Sequence, residues 1–272
     1  MKAETDAAPS SRVSEPALRA LPLFLALSLR SRARRLVGLS AFGLVFLAAG
    51  ATARIFTGRE HGHVELDMLF EIGGTTLVSV LLLLGWLIGR FPMIAVLVLM
   101  SGIFSDDRAH GHARLYAVRP SSILLLYGMR MLMFAVIAFA MSAVLIPGFD
   151  LLILNEWSGT SVFALIAAQI MVYASLTALL SMATRADAWI ALFLGILATV
   201  WYALRRVEFL QNTPSFVRET ISVLLPPQGA LLRVEAAFAN SLPVPADAML
   251  YILIYAVLVL LLAGVGLARR EL

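Results

Sequence analysis

A chain of 272 residues that is 61% hydrophobic and 14% charged, with mean hydropathy +0.91, is too apolar for a soluble domain, where about a quarter of residues are charged. It has no cysteine, which excludes disulfides, thiolate metal sites and cysteine nucleophiles, and its net charge of +4 reads as topology-setting arginine, not as a nucleic-acid surface. Lys2 is the only lysine, so a G-x-x-x-x-G-K-[ST] phosphate loop is excluded and any ATP must be held by another subunit.

In chain order, Met1 to Ser14 is small and polar and predicts a disordered tail. Pro16 to Arg35 places Leu18, Leu21, Leu25 and Leu29 at near-helical spacing and ends in arginines at 30, 32, 34 and 35. Its apolar part is too short to span, which predicts an amphipathic helix in the membrane interface. Residues 1–35 thus form a cytoplasmic tail and interface helix, and residues 36–272 one membrane domain. The first span is Leu36 to Ala53, with Arg54 to Glu71 external.

Ile72 to Phe104 follows as an apolar run of about 50 Å if wholly helical, more than a bilayer needs. Arg90 and Pro92 interrupt it. One span here puts the next loop in the cytosol, whereas two would put the loop's arginines outside, so one long kinked helix is expected. The polar loop Ser105 to Ser122 carries Asp106, Asp107, Arg108, Arg114 and Arg119 and is the functional focus of the chain. Its two aspartates suit the start of a short helix, which Pro120 would end. The third span is Ile123 to Ile146, stopped by Pro147-Gly148, and Phe149 to Gly159 is an external turn.

Span four, Thr160 to Ala183, leads through the tight turn Thr184-Arg185-Ala186-Asp187 to span five, Ala188 to Leu204. Arg205 to Asp247 is external, and within it Ile221 to Leu232 is broken by Pro226-Pro227. That pattern predicts a re-entrant or interface-lying hairpin. Span six is Ala248 to Ala268, and Arg269-Arg270 hold the C-terminus inside. The expected fold is therefore all-α, an integral membrane protein of six transmembrane helices with both termini cytosolic. Arg205, Arg206, Arg218 and Arg233 run against the positive-inside bias.

The loop and its flanks resemble the permease subunit of an ABC transporter of the second export type. The likeness rests on Ser101-Gly102-Ile103-Phe104-Ser105-Asp106-Asp107 closing a long second span, on Gly111, on Arg119-Pro120-Ser121-Ser122, and on Tyr127-Gly128-Met129-Arg130 entering the third. It implies a bacterial inner-membrane exporter that is a homodimer or pairs with a similar permease. It further implies two ATPase subunits that carry ATP and Mg²⁺, docked on a coupling loop formed by Asp106, Asp107, Arg108, Gly111, Arg114, Tyr116, Arg119 and Pro120. No cofactor and no catalysis are expected in this chain, and no nucleic-acid partner. Leu115, Tyr116 and Val118 would supply apolar contact with the ATPase, and Arg108, Arg114 and Arg119 would meet its acidic groups.

Other constellations are weaker. His61 and His63 with nearby acids, and His110 and His112 with Asp106 and Asp107, lack the set and spacing of a zinc site. Asp106-Asp107 as a Mg²⁺ holder would make a lipid- or isoprenoid-modifying enzyme, but the other acids, Asp187 among them, stand isolated in sequence. A structural anchor is the third alternative. Arg90 is an ionisable group within a span, marking either function or a snorkelling side chain. Gln169, Tyr173, Thr177 and Ser181 fall on one face of span four, as a path lining or as interhelical hydrogen bonds.

Overall fold

The computed structural model describes residues 15–56, 83, 85–109, 123–153, 157, 159–207, 209 and 213–270. These are helices joined by turns, without strands among the described residues. We number the helices α1 (Glu15–Ser31), α2 (Ala33–Phe56), α3 (Phe91–Met100), α4 (Ser105–Ala109), α5 (Ile123–Ile153), α6 (Ser161–Ala183), α7 (Asp187–Arg206), α8 (Ser215–Leu224), α9 (Gln228–Ala239) and α10 (Ala246–Arg270). Five of them, α2, α5, α6, α7 and α10, are long and apolar enough to cross a membrane.

Helix α6 is the centre, packed on α3, α5, α7, α9 and α10. The peripheral helices bury only narrow stripes. On α2 these are Leu39, Gly43 and Phe46, and on α10 they are Ala248, Ile252, Ala256, Val259 and Ala263. Their other faces expose Leu44 and Val45, or Leu250, Leu253, Leu258 and Leu262. A soluble protein does not present belts of that kind, whereas lipid tails solvate them freely. On α7 the buried stripe is small, Ala191, Gly195 and Ala198, and lets α6 approach until the Tyr173 hydroxyl lies against Gly195.

Two expected boundaries are corrected. The long second run does not stay helical to Phe104: α3 ends at Met100, and Ser101 to Phe104 turn back sharply before α4. Pro147-Gly148 does not stop the third span either, because α5 runs through it to Ile153. A proline inside a helix deletes one hydrogen bond and bends the axis, but surrounding packing can sustain the helix. Here Ile146, Pro147 and Phe149 are buried, and Leu47 of α2 seats against Gly148.

The break at Arg90 is as expected. Residues 85–89 are helical, Arg90 leaves helical geometry at φ −100° and ψ 0°, and Pro92 opens the first turn of α3. The earlier part of this run, 72–82, lies outside the described residues, as do 57–71. The basic cluster after α1 is split by an elbow, since the helix breaks at Arg32 and restarts as α2. Pro226-Pro227 separates α8 from α9 in the segment between α7 and α10, the last two of the long helices.

Candidate functional site

The elbow at Arg32, the C-terminus of α3, α4, the first turns of α5, the C-terminus of α6 and the N-terminus of α7 all meet at one end of the bundle. At their centre is the turn Ser101-Gly102-Ile103-Phe104. Gly102 adopts φ +71°, the left-handed conformation that lets a helix end abruptly. A Cβ at this position would lie 2.3 Å from Asp106 Oδ2. Gly102→Ala therefore meets both backbone strain and a carboxylate. We expect it to cost about 2 kcal/mol or more, read as a lowered unfolding midpoint in detergent, and Asp106→Ala in the same chain to recover part of that loss.

Four other segments lock the turn. Asp187, at 0% exposure, accepts hydrogen bonds from the Gly102 amide (2.7 Å), the Ser101 hydroxyl (3.2 Å) and the Ala188 amide (2.7 Å). From the other side Arg32, only 4% exposed, donates to the Ser101 carbonyl and to Asp106 Oδ2 at 3.5 Å. Arg35 donates to the carbonyls of Val98 (3.1 Å) and Ser101 (2.8 Å), and its guanidinium lies 4.0 Å from Asp106. These carbonyls lie in the last turn of α3 and at its C-cap, where a helix leaves its acceptors unpaired and favours cations.

Ser181 of α6 receives the amides of Phe104 (3.1 Å) and Ser105 (3.3 Å) on its hydroxyl, while Arg108 donates to the Ser181 carbonyl at 3.3 Å. Asp107 faces α5: Arg130 Nη1 is 2.7 Å from its Oδ2, and the Tyr127 hydroxyl donates to the same oxygen at 3.0 Å. Arg130 also reaches the Ile103 carbonyl, and its guanidinium lies 5.9 Å from the Phe24 ring centroid of α1. Three acids (Asp106, Asp107, Asp187) and four arginines (Arg32, Arg35, Arg108, Arg130) thus form a knot, buried apart from Arg108 and the partly exposed Arg35 and Asp106. The knot joins six chain segments: the elbow before α2, the end of α3, α4, the start of α5, the end of α6 and the start of α7.

Of the residues expected to form a coupling loop, Asp106, Asp107 and Arg108 lie in this knot. Gly111, Arg114, Tyr116, Arg119 and Pro120 fall outside the described residues, as do His61, His63, His110 and His112. Gln169, Tyr173, Thr177 and Ser181 do share one buried face of α6. Ser181 belongs to the knot, Thr177 donates to the Tyr173 carbonyl within its own helix (2.6 Å), and Gln169 donates to the Gly89 carbonyl at 2.9 Å, where the break at Arg90 frees an acceptor. Arg90 itself pairs with Glu235 of α9, its Nη2 lying 3.1 Å from Oε1 and 2.9 Å from Oε2.

Reading the sequence missed Arg32, Arg35, Ser101, Gly102, Tyr127, Arg130 and Asp187 as parts of one site. Asp187 looked isolated because its partners are 85 positions away in the chain. A signal existed, since a Ser-Gly pair after an apolar run is a helix-stop motif and an Asp opening an apolar helix needs donors. Comparison with protein-family models, curated proteins and solved structures finds no match for this chain.

Proposed function

We propose that this chain is the permease subunit of an ATP-driven transporter of the second ABC-export type. In this reading it sits in a bacterial cytoplasmic membrane with both termini cytosolic, and the run from Ile72 to Met100 supplies a sixth span. It dimerises or pairs with a similar permease, and two separate ATPase subunits dock on the loop from Ser105 to Ser122. Those subunits hold ATP and Mg²⁺; this chain lines the path and performs no hydrolysis. One observation carries the reading: α4, which begins the loop, is tied by charge-assisted hydrogen bonds to the ends of the long helices around it. Such bonds are stronger than neutral ones and resist slippage, so a push on the loop moves spans instead of merely deforming a tether. A loop that served only to set topology would need arginines but no such lock.

The test is a complex isolated from cells producing the chain. We expect an ATPase subunit at equal stoichiometry, with ATP hydrolysis that depends on both. Replacing Arg114 and Arg119 together by alanine should weaken ATPase retention about tenfold or more, the loss expected when charged interface contacts go. Retention and hydrolysis undiminished in that variant would remove the loop's role. A chain isolated alone that turns over an isoprenoid diphosphate with added Mg²⁺ would establish an enzyme acting through Asp106 and Asp107 instead.

A further inference from the structure

At the end of the bundle opposite the knot, α7, α8, α9 and α10 line an open cavity of about 400 Å³. A neighbouring space of about 720 Å³ shares Tyr202, Arg205 and Arg233 with it. We propose that this cavity binds the headgroup of an anionic phospholipid, with its phosphate on the arginines and its acyl chains along the exposed apolar face of α7. The proposal needs no ATPase and rests on the reading above only in taking this end as the outer one.

Charge is the first argument. Arginines 205, 206, 218 and 233 gather at the end that ought to be poor in them. Among the described residues the acids here are already committed: Glu219 to Arg205 at 2.8 Å, Glu235 to Arg90, and Asp247 to Arg233. Arg206, which lines the larger space, has no acidic partner among the described residues. An anion would balance this excess. A phosphate matches arginine's planar fork of donors bidentately, which a halide cannot.

An unpaired buried atom is the second argument. Gln228, 4% exposed, lines the cavity, and its Oε1 has no hydrogen-bond partner among the described residues. Buried polar atoms in folded proteins are nearly always satisfied, so this oxygen marks the place of a missing donor. A glycerol hydroxyl next to the phosphate supplies one. The wall is also preset, because Ser222 Oγ accepts from both Trp201 Nε1 and Arg205 Nη1 at 3.1 Å and so fixes the indole and the guanidinium side by side.

Position decides between a lipid and a small anion. Trp201, Tyr202 and Tyr251 surround the opening, and aromatic residues of this kind concentrate at membrane interfaces. Helix α8 exposes Phe216, Val223 and Leu224, the pattern of a helix lying in the interface. Phe193, Ile196 and Val200 continue outward along α7 as a surface for acyl chains.

The test uses the full chain with Trp86, Trp157 and Trp189, all exposed, changed to phenylalanine, leaving Trp201 as the only reporter. In nanodiscs of phosphatidylcholine, brominated phosphatidylglycerol should quench Trp201 saturably at low mole fraction, and brominated phosphatidylcholine only in proportion to its amount. Arg205→Gln with Arg206→Gln should weaken the saturable component about fivefold per charge. Glu219→Gln, which releases Arg205 from its competitor and leaves the fold intact, should strengthen it. Millimolar inorganic phosphate should leave quenching unchanged; displacement by it would keep the anion site but assign it to free phosphate. Equal, unsaturable quenching by the two lipids, or unaltered affinity in both charge variants, would overturn the proposal.

Discussion

Arg130→Met is expected to cost about 3 kcal/mol of stability, enough to lower the unfolding midpoint in detergent by several degrees. The reason is asymmetric. Arg130 and Asp107 are both nearly sealed from solvent, with side-chain exposures of 5% and 10%, and their closest approach is 2.7 Å. Removing the cation strips the carboxylate of the guanidinium that neutralises it while leaving it buried. The Tyr127 hydroxyl still donates to Asp107, which keeps the loss at the lower end of the range for a broken buried pair. The double variant Arg130→Met with Asp107→Leu should recover most of the deficit, since an apolar pair of similar volume avoids desolvating two charges. Equal losses in the single and double variants would mean that shape, not charge, holds this contact.

Asp187→Ala should be nearly as damaging, by about 3 kcal/mol. It leaves the Gly102 amide and the Ser101 hydroxyl without their acceptor, and each buried donor so orphaned costs about 1–3 kcal/mol. Asp187→Asn retains one acceptor oxygen and should fall between the parent and the alanine variant. The alanine variant should also loosen the end of α3. Hydrogen exchange at residues 101–105 would then rise more than at the middle of α6, whereas uniform acceleration would indicate global destabilisation without a local role.

Much of the helical order was legible because membrane spans are long apolar runs with polar punctuation. Span four and the turn after it match α6 and residues 184–186 almost to the residue, as Thr184 to Asp187 is the one polar step between two apolar runs. The double proline at 226–227 likewise marked the break between α8 and α9, because neither residue can donate within a helix. Pro147 misled for the opposite reason. One proline subtracts a single bond, and whether a helix survives it depends on neighbours such as Leu47 that the local sequence does not reveal.

The site was legible only in part. Asp106, Asp107 and Arg108 stood out as charges beside apolar runs, but their partners did not. Arg32 and Arg35 looked like topology determinants, and in the structure they cap the end of α3. Asp187 looked like a turn residue and is the most deeply buried acid of the knot. Long-range pairing of helix ends leaves no periodic trace in sequence, because any pairing of ends is compatible with the same run of spans. Arg90 is a similar case: its partner Glu235 lies 145 positions on.

Everything in the functional reading depends on the arginine-knotted end facing the cytosol, and site-directed labelling measures that directly. The chain has no cysteine, so single cysteines at His61, His112, Arg185 and Phe216 can be read without background. Arg185 serves for the turn between α6 and α7 because it is exposed, whereas its neighbour Asp187 is buried. In intact cells an impermeant thiol reagent should label positions 61 and 216 only, with 112 and 185 becoming reactive once the membrane is opened. Labelling of 112 or 185 from outside would put the knot on the wrong face of the membrane and detach it from any cytosolic ATPase.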